Sequence, residues 1–257
     1  MIDLAQTLSG FVVGAIVGLT GVGGGSLMTP LLVLLFGIHP ATAVGTDLLY
    51  AAITKSGGTW VHAKKGTVDW RIVRLLASGS LPAAALTLLA VHFFAPGGLG
   101  SASKTITFAL GIALLLTAGA LIFRQRLFNW ARRNNPDAVH HPWKTVVMGA
   151  TLGVLVSISS VGAGALGVTV LFFLYPKLAA HRVVGSDLAH AVPLTLVAGL
   201  GHWWLGSVNW HLLGSLLLGS LPGIYIGSHL STRVPERILR PTLAGMLVLV
   251  GGKLIAF

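Results

Sequence analysis

Apolar residues dominate the chain in segments at about 4–20, 40–62, 71–93, 103–123, 145–160, 182–203, 211–229 and 240–257. Most of these have, or come close to, the roughly 17–25 residues a helix needs to cross the hydrocarbon layer. Two shorter runs, 26–37 and 165–176, follow glycine clusters and are too short to span alone. The pattern predicts an all-α, polytopic integral membrane protein with about eight full spans plus two short broken or re-entrant helices. Composition supports this. The chain is 54% hydrophobic and only 9% charged, far below the ~25% of soluble domains. Met1-Ile2-Asp3 supplies no basic region ahead of the first apolar run, which reads as a retained span. Cysteine is absent, so thiolate metal sites, disulfides and thiol catalysis are excluded.

The pattern also repeats. Residues 44–82 align without a gap to 184–222, and 14 of the 39 pairs are identical. Val44-Gly45-Thr46-Asp47-Leu48 returns as Val184-Gly185-Ser186-Asp187-Leu188, His62 matches His202, and Gly79-Ser80-Leu81-Pro82 matches Gly219-Ser220-Leu221-Pro222. A tandem duplication in a membrane protein is the usual construction of a transporter whose halves enclose a site at their interface. The reading is a first transmembrane repeat over 1–123, a basic cytoplasmic linker over 124–144 and a second repeat over 145–257.

The net charge of +11 is confined to short loops, which argues against nucleic acid as a partner. Lys64, Lys65, Arg71 and Arg74 form one cluster; Arg124, Arg126, Arg132, Arg133 and Lys144 a second; Arg233, Arg237 and Arg240 a third. These fit cytoplasmic loops under the positive-inside bias. If the two short runs each complete a crossing, the second repeat is inverted and 12 Lys/Arg lie inside against four outside (Lys104, Lys177, Arg182, Lys253). If the runs are re-entrant, the repeats are parallel and the division falls to 10 against six. Inversion is the favoured reading.

Chemistry concentrates at the glycine cluster Gly18-Leu19-Thr20-Gly21-Val22-Gly23-Gly24-Gly25-Ser26. Four glycines in five positions predict a helix break at membrane depth, tolerated only where protein or a water-filled cavity surrounds it. A helix starting near Ser26 would direct bare N–H groups and a positive dipole end into that cavity, a setting for a small anion. Scattered glycines such as Gly111 and Gly119 read instead as close helix packing. In the second repeat Ser157-Ile158-Ser159-Ser160-Val161-Gly162-Ala163-Gly164-Ala165 corresponds, with Ala163 in place of a glycine and Thr169 in place of Pro30. The candidate substrate-binding set is Gly23, Gly24, Gly25, Ser26, Thr46, Ser159, Ser160, Gly162, Gly164 and Ser186.

Asp47 and Asp187 are two of only six acidic residues and occupy matched positions inside apolar segments. An ionisable group there costs about 2.5–3.5 kcal/mol on insertion scales and needs a reason. They read either as caps for the broken segments or as protonatable coupling groups. Lys55, eight residues after Asp47, either neutralises substrate charge or pairs with a carboxylate. His190, three residues after Asp187, is a hydrogen-bond partner or proton relay for it. His62 and His202, beside tryptophans near segment ends, read as interfacial anchors. No histidine pattern offers metal-ligand spacing, and no cofactor is expected.

The stretch Gly23-Gly24-Gly25-Ser26-Leu27-Met28-Thr29-Pro30, the later His39-Pro40-Ala41-Thr42-Ala43-Val44-Gly45-Thr46-Asp47 and the closing Gly79-Ser80-Leu81-Pro82 resemble the sulfite exporter TauE/SafE family, also called the toluene-sulfonate uptake permease family. The resemblance covers essentially the whole chain. It implies a multi-pass permease of the inner membrane, not an enzyme, moving sulfite, sulfonates or related small anions. Export by alternating access is the leading expectation and proton-coupled uptake the alternative. An anion channel, or an intramembrane enzyme using Asp47 and Asp187 as a facing pair, ranks below both. The expected partners are the small anion and the lipid bilayer, with a homo-oligomer left open.

Overall fold

The computed structural model describes residues 4–20, 25–94, 103–134, 142–162, 164–230 and 236–256. Ten helices and no strand occur among them. In the first half these are α1 (Leu4–Thr20), α2 (Gly25–Phe36), α3 (Pro40–Lys64), α4 (Trp70–Phe94) and α5 (Ser103–Asn134). In the second half they are α6 (Pro142–Ser159), α7 (Ala165–Leu174), α8 (Ala180–Trp204), α9 (Trp210–Leu230) and α10 (Glu236–Ala256). α4, α5, α6, α8 and α9 contain stretches long and apolar enough to cross a membrane; α1, α7 and α10 are shorter apolar helices. α3 equals α8 in length, but Asp47, Lys55 and the polar 56–59 run lower its hydropathy. α5 runs on through Asn134, so the described part of the linker is a helical extension.

The helices pair across the halves, and the pairs correspond. α4 packs on α6, and α9 packs on α1 in the same way. Glycine sets both contacts: a Cβ at Gly79 would overlap the Val146 carbonyl, and one at the matching Gly219 would overlap that of Thr7. Gly149 and Gly153 on α6, like Gly10 and Gly14 on α1, lie against backbone of the partner helix in turn. Such small-residue faces let membrane helices approach to backbone contact where lipid offers no hydrophobic drive. α5 crosses α10 at Gly111 and Gly251, themselves a matched pair. Gly111 therefore behaves as the sequence suggests, whereas a Cβ at Gly119 would meet open space.

α3 and α8 form the centre and run antiparallel. Gly45, near the start of α3, lies against Ser207 and His202 beyond and near the end of α8; Gly185, near the start of α8, lies against Thr67 and His62. Midway, Gly199 touches Leu49, and Thr59 donates to the Leu188 carbonyl at 3.3 Å. Ordinary side chains are excluded at Gly45 and Gly185, where a Cβ would sit 2.7 and 2.6 Å from carbonyl oxygens of the other half.

α6 and α7 form a hairpin. α6 reaches far enough for its Ser157 carbonyl to meet His202 Nε2 at 2.8 Å. α7 then returns, so that the Tyr175 hydroxyl lies 2.6 Å from Thr145 Oγ1 at the start of α6. This return corrects one expectation. Arg182 does not lie opposite the first basic loop but beside it, its Nη2 3.5 Å from Asp69 Oδ2. The short apolar run does not stop partway; it travels back alongside its predecessor as a pass of its own, to the side where α6 begins.

Candidate functional site

The second break lies between α6 and α7. Ser160 holds a left-handed backbone (φ 57°), and Gly162 and Gly164 have φ of 125° and 133°. Such angles suit glycine and strain an L residue, so Ser160 needs a compensating contact. It has one: Ser160 Oγ donates to Asp47 Oδ2 at 3.0 Å, across the two halves. Thr29 Oγ1 on α2 donates to the same oxygen at 2.5 Å. Asp47 thus ties its own short helix to the break of the other half while fully buried. Its Oδ1 has no hydrogen-bond partner among the described residues.

Asp187 is set differently. Its carboxylate rests on α7 at Gly167, where a Cβ would overlap Oδ1; only a glycine there leaves room for the acid. Lys55, 6% exposed, lies within electrostatic range of Asp187 and of Asp47. The register of α3 on α8, with Leu49 beside Gly199 and Thr59 beside Leu188, puts the two aspartates toward opposite ends of the contact. They do not form a facing acid pair.

The remaining candidates fall into place around this core. Thr46 Oγ1 accepts from the Asn209 N–H at 3.1 Å, and the matching Ser186 Oγ accepts from the Asp69 N–H at 2.8 Å. Ser186 also donates to the Arg182 carbonyl. Ser159 Oγ donates to the Leu155 carbonyl and accepts from the Val161 N–H, closing the end of α6. Ser157 Oγ donates to Gly153. A hydroxyl has a single proton to give, and Ser157, Ser159 and Ser186 give theirs to the protein itself. The main-chain N–H groups at the first turn of α7 are further donors near the break, and Lys55 lies in the field of both aspartates. Within that turn, the Gly167 and Val168 N–H groups are taken by Gly162 and Gly164 carbonyls.

His190 is oriented away from the expected partner. Its Nε2 lies 2.8 Å from Ser80 Oγ on α4, and its counterpart Tyr50 faces Ser220, the match of Ser80. His202 also departs from its expected interfacial role. At 1% exposure it is core, holding Ser207 through Nδ1 and the Ser157 carbonyl through Nε2. The reason is that Gly45 lets it approach the other half. His62 makes the matching contact to Thr67 but is partly exposed. The tryptophans 60, 70, 143, 203, 204 and 210 are exposed, as an interfacial belt requires. Thr29 and Ser80 stand in motifs that the sequence singles out, but hydroxyls inside apolar helices give no sign of their partners, Asp47 and His190. α1 ends at Thr20 and α2 begins at Gly25; Gly23 and Gly24 lie outside the described residues, and the side chain of Ser26 is likewise not described.

A duplicated helical bundle, broken beside two buried carboxylates and a buried lysine, has the makings of a polytopic membrane transporter. The comparisons with known proteins place it there. The chain belongs to the sulfite exporter TauE/SafE family, whose model matches residues 7–254. It is 41% identical to "Probable membrane transporter protein YjnA" of Bacillus subtilis over 96% of this chain and 98% of that protein. It is 27% identical to "Probable membrane transporter protein YdhB" of the same organism, over 93% and 97%. A "Probable membrane transporter protein" of Xylella fastidiosa (strain Temecula1) is 28% identical over 88% and 84%. No solved structure matches. The protein is a multi-pass membrane permease for a small molecule, not an enzyme.

Proposed function

We propose that the chain exports a small sulfur-containing anion, sulfite or an organosulfonate, across the inner membrane by alternating access. The observation that carries this is the junction at Asp47, where a broken segment of one half is held by a helix of the other. The second break and the Gly23–Ser26 stretch are the intended anion contacts, through main-chain amides rather than the hydroxyls of Ser159, Ser160, Thr46 and Ser186. Asp47 and Asp187 position the breaks, and Lys55 supplies the counter-charge. The two halves are an inverted repeat. In support, the α6–α7 hairpin contributes two passes and leaves the number in its half odd, and the matched helices α3 and α8 are antiparallel. Lys177 and Arg182 then join the three basic clusters on the cytoplasmic side, leaving Lys104 and Lys253 outside, a stronger positive-inside bias than either topology counted from the sequence.

Energetics favour export. With the cytoplasm negative, each exported negative charge gains about 2.3 kcal/mol per 100 mV, so no coupling ion is required. Uptake of sulfonates with protons is the second reading, and the buried Asp47 carboxylate with its open Oδ1 is what supports it. Flux of radiolabelled sulfite and of a sulfonate in proteoliposomes, with imposed voltage and pH steps, tests both. Export driven by voltage alone is the expected result. A strict requirement for a proton gradient would establish the second reading, and absence of flux for every sulfur anion would end both. A bulky residue at Gly24 is expected to abolish flux while membrane insertion persists.

A further inference from the structure

The basic end of the bundle carries a pocket that the proposed mechanism has not used. It has a volume of about 90 Å³ and lies between α4, α6 and the end of α7, lined by Asp69, Arg71, Leu75, Pro142, Tyr175 and Leu178 among others. At its rim Arg182 Nη2 reaches Asp69 Oδ2 at 3.5 Å, joining the two halves with both side chains partly exposed. Arg182 Nε is buried without a hydrogen-bond partner among the described residues. Asp69 Oδ1, meanwhile, accepts from the Arg71 and Ile72 N–H groups and starts α4. Asp69 thus has one oxygen committed to the fold and one lent to an arginine.

The other end of the molecule lacks this arrangement. Asn209 takes the place of Asp69 and likewise starts its helix, accepting from the Leu212 N–H at 3.0 Å. Thr42 takes the place of Arg182 and His211 that of Arg71. The helix-starting function was kept on both sides; the ion pair and the second arginine exist on one side only.

Resting on the reading of the chain as an anion permease, we propose that this pocket is the cytoplasmic docking site for a small oxyanion, which displaces Asp69 from Arg182. Two guanidiniums and one carboxylate leave the site with a net positive charge. A guanidinium offers a planar fork of donors suited to the paired oxygens of a sulfite or sulfonate head. The resident ion pair is a single long contact at a half-exposed position, the kind that contributes little and is readily exchanged. Empty, the carboxylate occupies the arginine; filled, the anion takes its place. The volume suits a sulfur atom with three or four oxygens and no large organic tail.

The test exploits the absence of cysteine from the chain. Leu178→Cys places one thiol at the pocket wall, and its modification by a neutral maleimide is timed in the full-length protein. Sulfate or methanesulfonate at millimolar concentration is expected to slow modification at least threefold against chloride of equal ionic strength. Asp69→Asn should strengthen the protection and Arg182→Gln should remove it. In sided vesicles that carry sulfite, Arg182→Gln should raise KM about tenfold for cytoplasmic-face substrate and leave the opposite face unchanged. No protection, or equal protection with Arg182→Gln, overturns the docking site. A KM that changes equally from both faces overturns its assignment to one side. Protection in a protein that transports no sulfur anion leaves the oxyanion site standing and refutes the cargo instead, so the two failures are separable.

Discussion

α3 and α8 have the same length, the same register on each other and the same glycine contacts, yet their buried charges differ. Asp47 receives two hydroxyls, one from each half; Asp187 rests on bare Gly167. Lys55 on α3 is answered on α8 by Thr195, which spends its hydroxyl on the Ala191 carbonyl. Tyr50 is answered by His190. What the duplication preserved is the frame, and what it let drift is the charge within the frame. A symmetric scaffold with an asymmetric interior makes the two matched sites chemically unequal.

The sharpest way to break this comparison is at the frame. Gly79→Val and Gly219→Val should each abolish monodisperse, folded protein on size exclusion, and to the same extent, since each drives a side chain into a backbone carbonyl; overpacking of about 1–3 kcal/mol is the lower end expected. If one is tolerated, the frame is not symmetric.

Charge is the next target, and here the halves should differ. Lys55 is buried in the field of Asp187 first and of Asp47 second, and leaving a buried charge less compensated is costly, about 3–5 kcal/mol where a whole partner is lost. Asp187→Asn should therefore lower the thermal midpoint strongly, and Lys55→Met in the same chain should restore much of the loss. Asp47→Asn keeps an oxygen for Thr29 and Ser160 and should melt closer to wild type. Equal melting of the two Asn variants would remove the asymmetry.

Ser160 sharpens the same point on a smaller scale. Ser160→Gly loses the hydroxyl but relieves the left-handed strain, whereas Ser160→Ala loses the hydroxyl and keeps it. The glycine variant should be more stable by about 1 kcal/mol in denaturant titration. Flux should fall in both, because both release Asp47.

The smallest effect belongs to the cross-half hydroxyls. Thr46→Ala and Ser186→Ala each leave one N–H without its acceptor, and each should cost about 1 kcal/mol. Near-equal losses are expected from the matched pair.

Much of this is legible in the chain. The 140-residue offset announces Gly45 and Gly185, Thr46 and Ser186, Asp47 and Asp187 as matched positions, and the structure shows why they match: each glycine pair and each hydroxyl pair makes the same contact with the opposite half. What spacing does not reveal is whom each residue touches. Thr46 and Ser186 read as ligands because a hydroxyl next to a carboxylate in an apolar helix has few obvious partners inside its own segment. Their partners are N–H groups of loops more than a hundred residues away, and a linear pattern carries no trace of that. The burial of His202 is hidden for the same reason, since a histidine beside tryptophans near a helix end reads as surface until its partner glycine is known. The direction of α7 is hidden too, because its 10 apolar residues fit a return path as well as a crossing.

The reciprocal docking of Gly45 on residue 207 and of Gly185 on residue 67 has a corollary. Each half presents to its twin the contact that it receives, so a half-length chain of this design inserted in both orientations should pair with itself about a two-fold axis. Split between residues 134 and 142 and synthesised as two polypeptides, this protein should reassemble from its parts.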